Sequence, residues 1–392
     1  MGIGKQKSGG PLTVAGLFAG IGGIELGLHR AGHQTALLCE IDDAATAVLR
    51  SRFPDVRIVH DVRQIKKLPR VDLVAAGFPC QDLSQAGRTA GIRGRNSGLV
   101  GEVFRLLDDA PRSLRWLLLE NVPFMLQLDR GHGMRFLTRS LEERGYMWAY
   151  RVVDTRSFGL PQRRQRVFVL ASRTEDPRAV LFADDAGPPA DVEANGHACG
   201  FYWTEGTRGL GWAIDAVPTL KGGSTIGIPS PPGIWMPDGE IVVPEIRDAE
   251  RLQGFPADWT KPAQTTGNGR KGPRWKLVGN AVSVPVAEWV GRRLASPGAY
   301  DGSRDEALAQ NQSWPAAAWG EAGSAYRASV SMWPVRRRYR HLLEFLRYPT
   351  PPLSERATAG FYSRASQSSL RFPAGFLSAV DAHLARVRRK SA

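Results

Sequence analysis

Cysteine is scarce in this sequence. Three residues, Cys39, Cys80 and Cys199, among 392 cannot build a disulfide framework and show no paired metal-ligand spacing. That composition points to a reducing, intracellular setting, in which a free thiol survives as a nucleophile. Long apolar runs are missing too. None approaches the ~18 residues of a membrane span, and Met1 to Pro11 lacks the apolar core of a secretory signal. Acid is in deficit: 38 Asp and Glu face 52 Lys and Arg, a formal charge of +14. Such an excess favours a polyanionic partner, nucleic acid before anionic membrane. With 42% hydrophobic and 23% charged residues, the rest is an ordinary globular balance. The length suits two or three domains.

The stretch that organises the chain is Gly77-Phe78-Pro79-Cys80-Gln81. It follows an apolar run, Val71 to Ala76, that reads as a buried strand stopped by Gly and Pro. A cysteine there sits at the carboxyl end of a sheet, where α/β enzymes keep their chemistry. Pro79 removes a backbone donor and fixes the turn, so the thiol is aimed. A buried cysteine is more often a small core hydrophobe; that reading is kept for Cys39, inside a strand.

Upstream, Leu12 to Phe18 is a strand candidate running into Ala19-Gly20-Ile21-Gly22-Gly23, followed by helical spacing at Ile24 and Leu28 and a stop at Gly32. Strand, glycine turn and helix start make a small-molecule site, because glycines let a ligand approach the backbone. About twenty residues on, the strand Ala36 to Cys39 ends in Glu40, the spacing of a ribose-binding acid. A third strand, Val56 to His60, ends in Asp61. These features fit a dinucleotide and S-adenosylmethionine equally.

Downstream of Cys80 the segment to Gly98 is polar and rich in Gly and Arg, including Arg88, Arg93 and Arg95. It suits a lid over a phosphate-bearing substrate. Trp116 to Leu119 reads as a parallel strand buried on both faces, ending in Glu120-Asn121-Val122. An acid beside a thiol strand favours chemistry. In Gln162-Arg163-Arg164-Gln165-Arg166, strand alternation would turn Arg164 and Arg166 to one face.

Together these segments resemble the DNA (cytosine-5) methyltransferase family. Phe18 to Gly23 is similar to its cofactor loop, Gly77 to Gln81 to its catalytic motif, Glu120 to Val122 to its acid motif and Gln162 to Arg166 to its Gln-x-Arg-x-Arg motif. Arg251-Leu252-Gln253-Gly254-Phe255-Pro256 and Gly279-Asn280-Ala281-Val282 resemble its last two motifs, in the family's order, so the resemblance covers residues 12–294. One position departs: Gly16 stands where an Asp often precedes Leu-Phe.

The resemblance implies a doubly wound, mostly parallel α/β sheet of the Rossmann-like methyltransferase type, with a smaller loop-rich target-recognition domain. Residues 12–182 and 275–294 would form the catalytic domain, 183–274 the recognition domain and 295–392 an extension of unassigned role. It implies a cytoplasmic, DNA-associated prokaryotic or phage-type monomer, with a restriction endonuclease as possible companion. Cys80 would add to carbon 6 of a flipped-out cytosine, protonated Glu120 would serve N3, and Arg166 with Arg164 would bind O2. The implied cofactor is S-adenosylmethionine, leaving as S-adenosylhomocysteine. Phe18, Gly20, Gly22, Gly23, Glu40, Ile41, Asp61, Val62, Pro79, Leu99, Asn280 and Val282 would surround it. Gln81, Ser84, Arg88, Arg93 and Arg95 would meet DNA, and so would Thr219, Leu220, Lys221 and Gly222 of the recognition region.

From Ala183 to Val243 periodicity dissolves, but Phe201, Tyr202, Trp203, Trp212 and Trp235 argue for a folded unit. Its loops would read base edges in the major groove, with Lys261, Arg270, Lys271, Arg274 and Lys276 as phosphate contacts. Beyond it, Gly298 to Gly323 reads as a linker, Val335 to Tyr348 as a basic helix and Ser378 to Arg389 as another. Two further functions fit the same sequence: cytosine-5 methylation of tRNA, disfavoured by the inserted unit, and a DNA-binding regulator with a vestigial catalytic half, disfavoured because every catalytic position is filled.

Overall fold

The computed structural model describes residues 10–79, 98–110, 113–190, 192–222, 230–266, 273–309 and 312–391. The chain divides into two compact units. One comprises Met1–Ser157, Gln165–Pro188 and Val282–Arg336; the other comprises Phe158–Arg164, Pro189–Ala281 and Arg337–Ala392. In chain order the strands are β1 (Thr13–Leu17), β2 (Gln34–Cys39), β3 (Arg57–Val59), β4 (Leu73–Ala76), β5 (Trp116–Asn121), β6 (Met147–Asp154), β7 (Gln162–Arg163), β8 (Gln165–Ser172), β9 (Cys199–Phe201), β10 (Trp212–Ile214), β11 (Val217–Pro218), β12 (Gly233–Trp235), β13 (Ile241–Val242), β14 (Glu306–Ala307), β15 (Ala317–Glu321) and β16 (Ser324–Arg327).

The first unit holds a ten-stranded sheet in the order β14-β16-β15-β6-β8-β5-β4-β1-β2-β3. From β3 to β5 the neighbours are parallel, and β8 lies antiparallel between β5 and β6. This is the α/β Rossmann-like methyltransferase sheet expected from the sequence. All residues of β4 and β5 are buried, which is why both read as unbroken apolar runs. Helices α1 (Gly23–Arg30), α2 (Asp43–Arg52), α3 (Leu99–Asp108) and α4 (His132–Glu142) connect successive parallel strands. In α3 the buried Val100, Val103, Phe104 and Leu107 trace one face at helical spacing. The Asp42 carboxylate caps α2 by accepting from Ala44 N and Ala45 N.

The helix Val284–Ala295 returns to this unit and packs along α1. The approach is close because Gly27 has no side chain: a Cβ there would press on Ala287 and on the Val284 and Glu288 backbone. His33 locks the join. Its Nδ1 accepts from Leu12 N at 3.0 Å, so Nε2 carries the proton and donates to Gly291 O at 2.8 Å. Burial pushes the His33 pKa down, in keeping with this neutral tautomer.

Residues 295–392 do not behave as one appendage. The stretch expected as a linker contains β15, which pairs antiparallel with β6, and β16 extends the sheet further. Trp314 brings its ring to 5.9 Å from Trp148 and 6.1 Å from Tyr150, and Tyr150 donates to Pro315 O. These aromatics turn the expected linker into sheet.

In the second unit β10-β9-β12-β13 form an antiparallel sheet, and β7 pairs with β11. The helices Glu355–Ser366 and Phe376–Ser391 supply its core: Phe361 and Phe376 stand 5.1 Å and 4.9 Å from Phe201. The second of these matches the expected helix at Ser378 to Arg389. The helix expected from Val335 to Tyr348 is corrected to a single turn, Leu342–Phe345. Preceding it, Arg340 N donates to Gly159 O, and this bond outside the segment replaces the helical ladder.

Replacing His33 by Leu strips partners from two buried backbone groups. We expect a loss of about 2–4 kcal/mol, read as a lowered urea midpoint.

Candidate active site

Strand β4 delivers Gly77, Phe78 and Pro79 to the carboxyl edge of the sheet. Cys80 itself lies outside the described residues, as do Gln81, Ser84, Arg88, Arg93 and Arg95. What precedes the cysteine is held from the neighbouring strand. Asn121 Nδ2 donates to Phe78 O at 2.9 Å, and Asn121 Oδ1 accepts from Val122 N at 2.8 Å. Asn121 therefore clamps the turn before the thiol, a role its sequence context did not signal. Gly77 lies against the same acid: a Cβ there would stand 3.6 Å from Glu120 Oε2.

Glu120 is buried at the end of β5 and pairs with Arg166, whose Nε is 3.2 Å from Oε1. The register explains the meeting. Asn121 faces Val167 across the β5–β8 ladder, so Arg166 enters β8 at the edge where β5 ends. Arg166 also donates to Gln165 O at 2.7 Å. Burial pushes its guanidinium pKa down, and the Glu120 charge draws it back. Acid, arginine and the Gly77-Phe78-Pro79 turn thus share one sheet edge.

Arg164 is placed differently from the expectation. A break at residue 164 separates β7 from β8, so alternation does not carry Arg164 to the Arg166 face. It is fully buried in the second unit, donating to Leu220 O, Gly279 O and Ala281 O. Gln162 lies beside it, donating to Leu252 O and accepting from Leu220 N, while Gln253 donates to Val278 O. The Gln-Arg-Arg, Leu-Gln-Gly and Gly-Asn-Ala segments are knitted by side-chain-to-backbone bonds, and Arg164 is a structural member of that knot.

The expected DNA contacts divide accordingly. Leu220 is 1% exposed and belongs to the core, which removes its side chain from any DNA surface. Thr219 Oγ1 donates to Arg163 O. Lys221 is exposed, pairs with Glu205 and lies 3.9 Å over the Tyr202 ring. Gly222 runs beside Asn280 Oδ1. Among the expected phosphate contacts, Arg274 is corrected: it is buried on Glu250 and Thr260. Lys261 and Lys276 are exposed, and Arg270 and Lys271 lie outside the described residues.

The glycine loop has the backbone a ligand cradle needs. Phe18, Gly20 and Gly22 have φ of 55°, 56° and 80°, and space opens where a Gly20 side chain would be. Gly23 begins α1. Glu40 is fixed by two amides: Oε2 accepts from Gly20 N at 2.7 Å and Oε1 from Asp42 N at 2.8 Å. Next to it Ile41, 57% exposed, offers an apolar face at the strand end. Asp61 is gripped by Arg63, whose hydrogen bonds hold its carboxyl below the usual range. Val62 is buried in the core, Pro79 is exposed, Leu99 starts α3 and Val282 is buried. Asn280 ends its helix in the second unit and is exposed.

The departure at Gly16 has a structural explanation. A Cβ at Gly16 would overlap Glu25 Oε1, so a carboxyl missing from β1 is supplied to the same space by α1. Glu25 is 1% exposed and its Oε2 has no hydrogen-bond partner among the described residues. Burial foremost, with Glu40 adding, raises its pKa to about 7. The remaining described thiols are inert: burial pushes Cys39 up to about 12 and Cys199 up to about 11.

Three outcomes are expected. The unfolded Glu25 ionises near pH 4.5 and the folded one near 7, so the folded state holds the extra proton between them. Stability should therefore fall as pH rises through that window, by up to about 3 kcal/mol. Glu25→Gln should flatten that slope in urea melts taken across pH. Arg164→Met should cost roughly 3–5 kcal/mol by orphaning buried carbonyls. Arg166→Lys, by contrast, should keep the urea midpoint and lose about 100-fold in methylation rate.

A family model for the C-5 cytosine-specific DNA methylase matches residues 12–193 and 245–296. The type II methyltransferase M2.BsuMI of Bacillus subtilis (strain 168) is 49% identical over 381 residues, covering 94% of this chain and 97% of its own length. M.BsuFI of Bacillus subtilis is 27% identical over 307 residues, 73% of each chain. The solved Dnmt2 methyltransferase of S. pombe shares the fold, with TM-score 0.53 at 16% identity over 72% of this chain and 98% of its own. With its motifs in order, its sheet of the methyltransferase type and its acid–arginine pair at the end of β5, this chain belongs to the C-5 cytosine-specific DNA methylase family.

Proposed function

We propose that this chain methylates carbon 5 of cytosine in double-stranded DNA through a covalent Cys80 adduct, with S-adenosylmethionine as methyl donor. The observation that carries the reading is the Glu120–Arg166 pair at the β5–β8 edge. Cytosine presents O2 and N3 as neighbouring atoms of one edge, and an adjacent guanidinium and carboxyl group match that pair. Arg166 donates to O2, and Glu120, carrying a proton, donates to N3. Both contacts draw electrons from the ring and make carbon 6 electrophilic.

Cys80 then adds as thiolate to carbon 6, which turns carbon 5 into a nucleophilic enamine carbon. Once carbon 5 carries the methyl group, loss of its remaining proton returns that electron pair to the ring as the carbon 5–carbon 6 double bond and expels the thiolate. Asn121 keeps the Phe78-Pro79 turn fixed against β5 throughout. The cytosine reaches these groups by leaving the helix, at a cost of a few kcal/mol. Gln81, Ser84, Arg88, Arg93 and Arg95 supply polar and positive groups for the phosphates beside the flipped base.

S-adenosylmethionine, when bound, supplies the electrophilic methyl group. The residues present fit it: Gly20 leaves room at the loop, the Glu40 carboxylate is fixed by Gly20 N and Asp42 N at the distance along the chain of a ribose acid, and Ile41 exposes an apolar face. Phe18, Gly22, Gly23, Asp61, Val62, Pro79, Leu99, Asn280 and Val282 complete the set. The second unit acts as target reader, with Thr219, Lys221 and Gly222 near the groove. The 49% likeness to a type II methyltransferase supports a restriction-modification setting with a companion endonuclease, in a cytoplasmic monomer.

Bisulfite sequencing of plasmid DNA from cells expressing the chain tests this directly. Methylcytosine at one short motif is expected, absent with Cys80→Ala and cut by about 100-fold or more in rate with Glu120→Gln. Full methylation by the Cys80→Ala enzyme would refute the adduct. Methylcytosine in tRNA, with none in DNA, would refute the substrate.

A further inference from the structure

Within the second unit, three segments distant in sequence bring their side chains to one point. His197 precedes β9, Asp215 lies in the turn between β10 and β11, and His341 precedes the short helix Leu342–Phe345. Their ligand atoms all lie within 4.8 Å of one another. His341 Nδ1 is 2.7 Å from Asp215 Oδ2 and His197 Nδ1 is 3.8 Å from Asp215 Oδ1. The two imidazoles stack, with centroids 5.4 Å apart. None of these residues belongs to the catalytic edge or the cofactor loop.

The acid is built in. Asp215 sits at φ 51°, a left-handed conformation that Asp tolerates better than most residues. Its carbonyl accepts from Tyr339 Oη, its amide donates to Ala198 O, and its Oδ1 accepts from Leu342 N at 2.9 Å. The carboxylate is buried, while both histidines reach solvent. Access and fixed charge thus coexist.

We propose that His197, Asp215 and His341 bind one divalent transition metal ion of the zinc class. Two imidazoles and a carboxylate suit such an ion, which takes N and O donors at about 2.0–2.2 Å and leaves a fourth position to water. The ion takes the place of the direct contact between His341 Nδ1 and Asp215 Oδ2. Small rotations of the two solvent-reaching rings close the set around it, since Asp215 is already fixed. The ion is structural: it ties the segment after Arg337 to the turns that flank β9 and β10. This gives that segment a function, as the third arm of a metal clamp.

The test uses the untagged full chain, stripped with chelator, with zinc alone and then cobalt as spectroscopic probe. One zinc per chain is expected, with tetrahedral cobalt bands. His197→Ala and His341→Ala, folded by circular dichroism, should each bind roughly 100-fold or more weakly. A thiolate-to-cobalt charge-transfer band, or unchanged affinity in both variants, would place the ion elsewhere and overturn the proposal. A folded wild-type chain that takes up no zinc would overturn it equally.

Discussion

The ion pair of Glu120 and Arg166 depends on one topological fact: β8 runs antiparallel between β5 and β6. Had β8 been parallel, its first residues would lie at the opposite edge of the sheet, far from the end of β5. Because it is reversed, the chain enters β8 where β5 ends, and an arginine meets a buried acid.

The second unit is organised by an equally small set of polar groups. Gln162, Arg164 and Gln253 reach backbone groups 90, 117 and 25 residues away in sequence. Buried amides and guanidinium groups that are fully engaged specify register more sharply than apolar packing does. Motifs that look catalytic in a linear sequence therefore do two jobs. Arg166 pairs with Glu120 at the end of β5, while Arg164, two residues away, holds the second unit in shape.

Much of the catalytic half was legible in the sequence because its signals are local. Unbroken apolar runs gave β4 and β5, and the glycine turn gave the loop before α1, where Gly20 N donates to Glu40. Arg164 escaped because alternation assumes a continuous strand, and the strand is interrupted there. Leu220 and Arg274 escaped because a polar neighbourhood in sequence conceals burial achieved by remote partners. The extension was unreadable for the opposite reason. Its strands and helices are stabilised by Trp148, Tyr150 and Phe201, which lie more than a hundred residues upstream, and no window of local sequence contains them.

The pairing of β15 with β6 carries an implication for how this enzyme can vary. A sheet edge lined with Trp148 and Tyr150 is an adhesive surface, and natural sheets shield such edges. Here the shield comes from beyond the family's motifs and from the same polypeptide, so the catalytic sheet is never left with β6 bare. The extension is thus an internal cover of the edge, and a chain cut before β15 would bare the side of β6 that carries Trp148 and Tyr150.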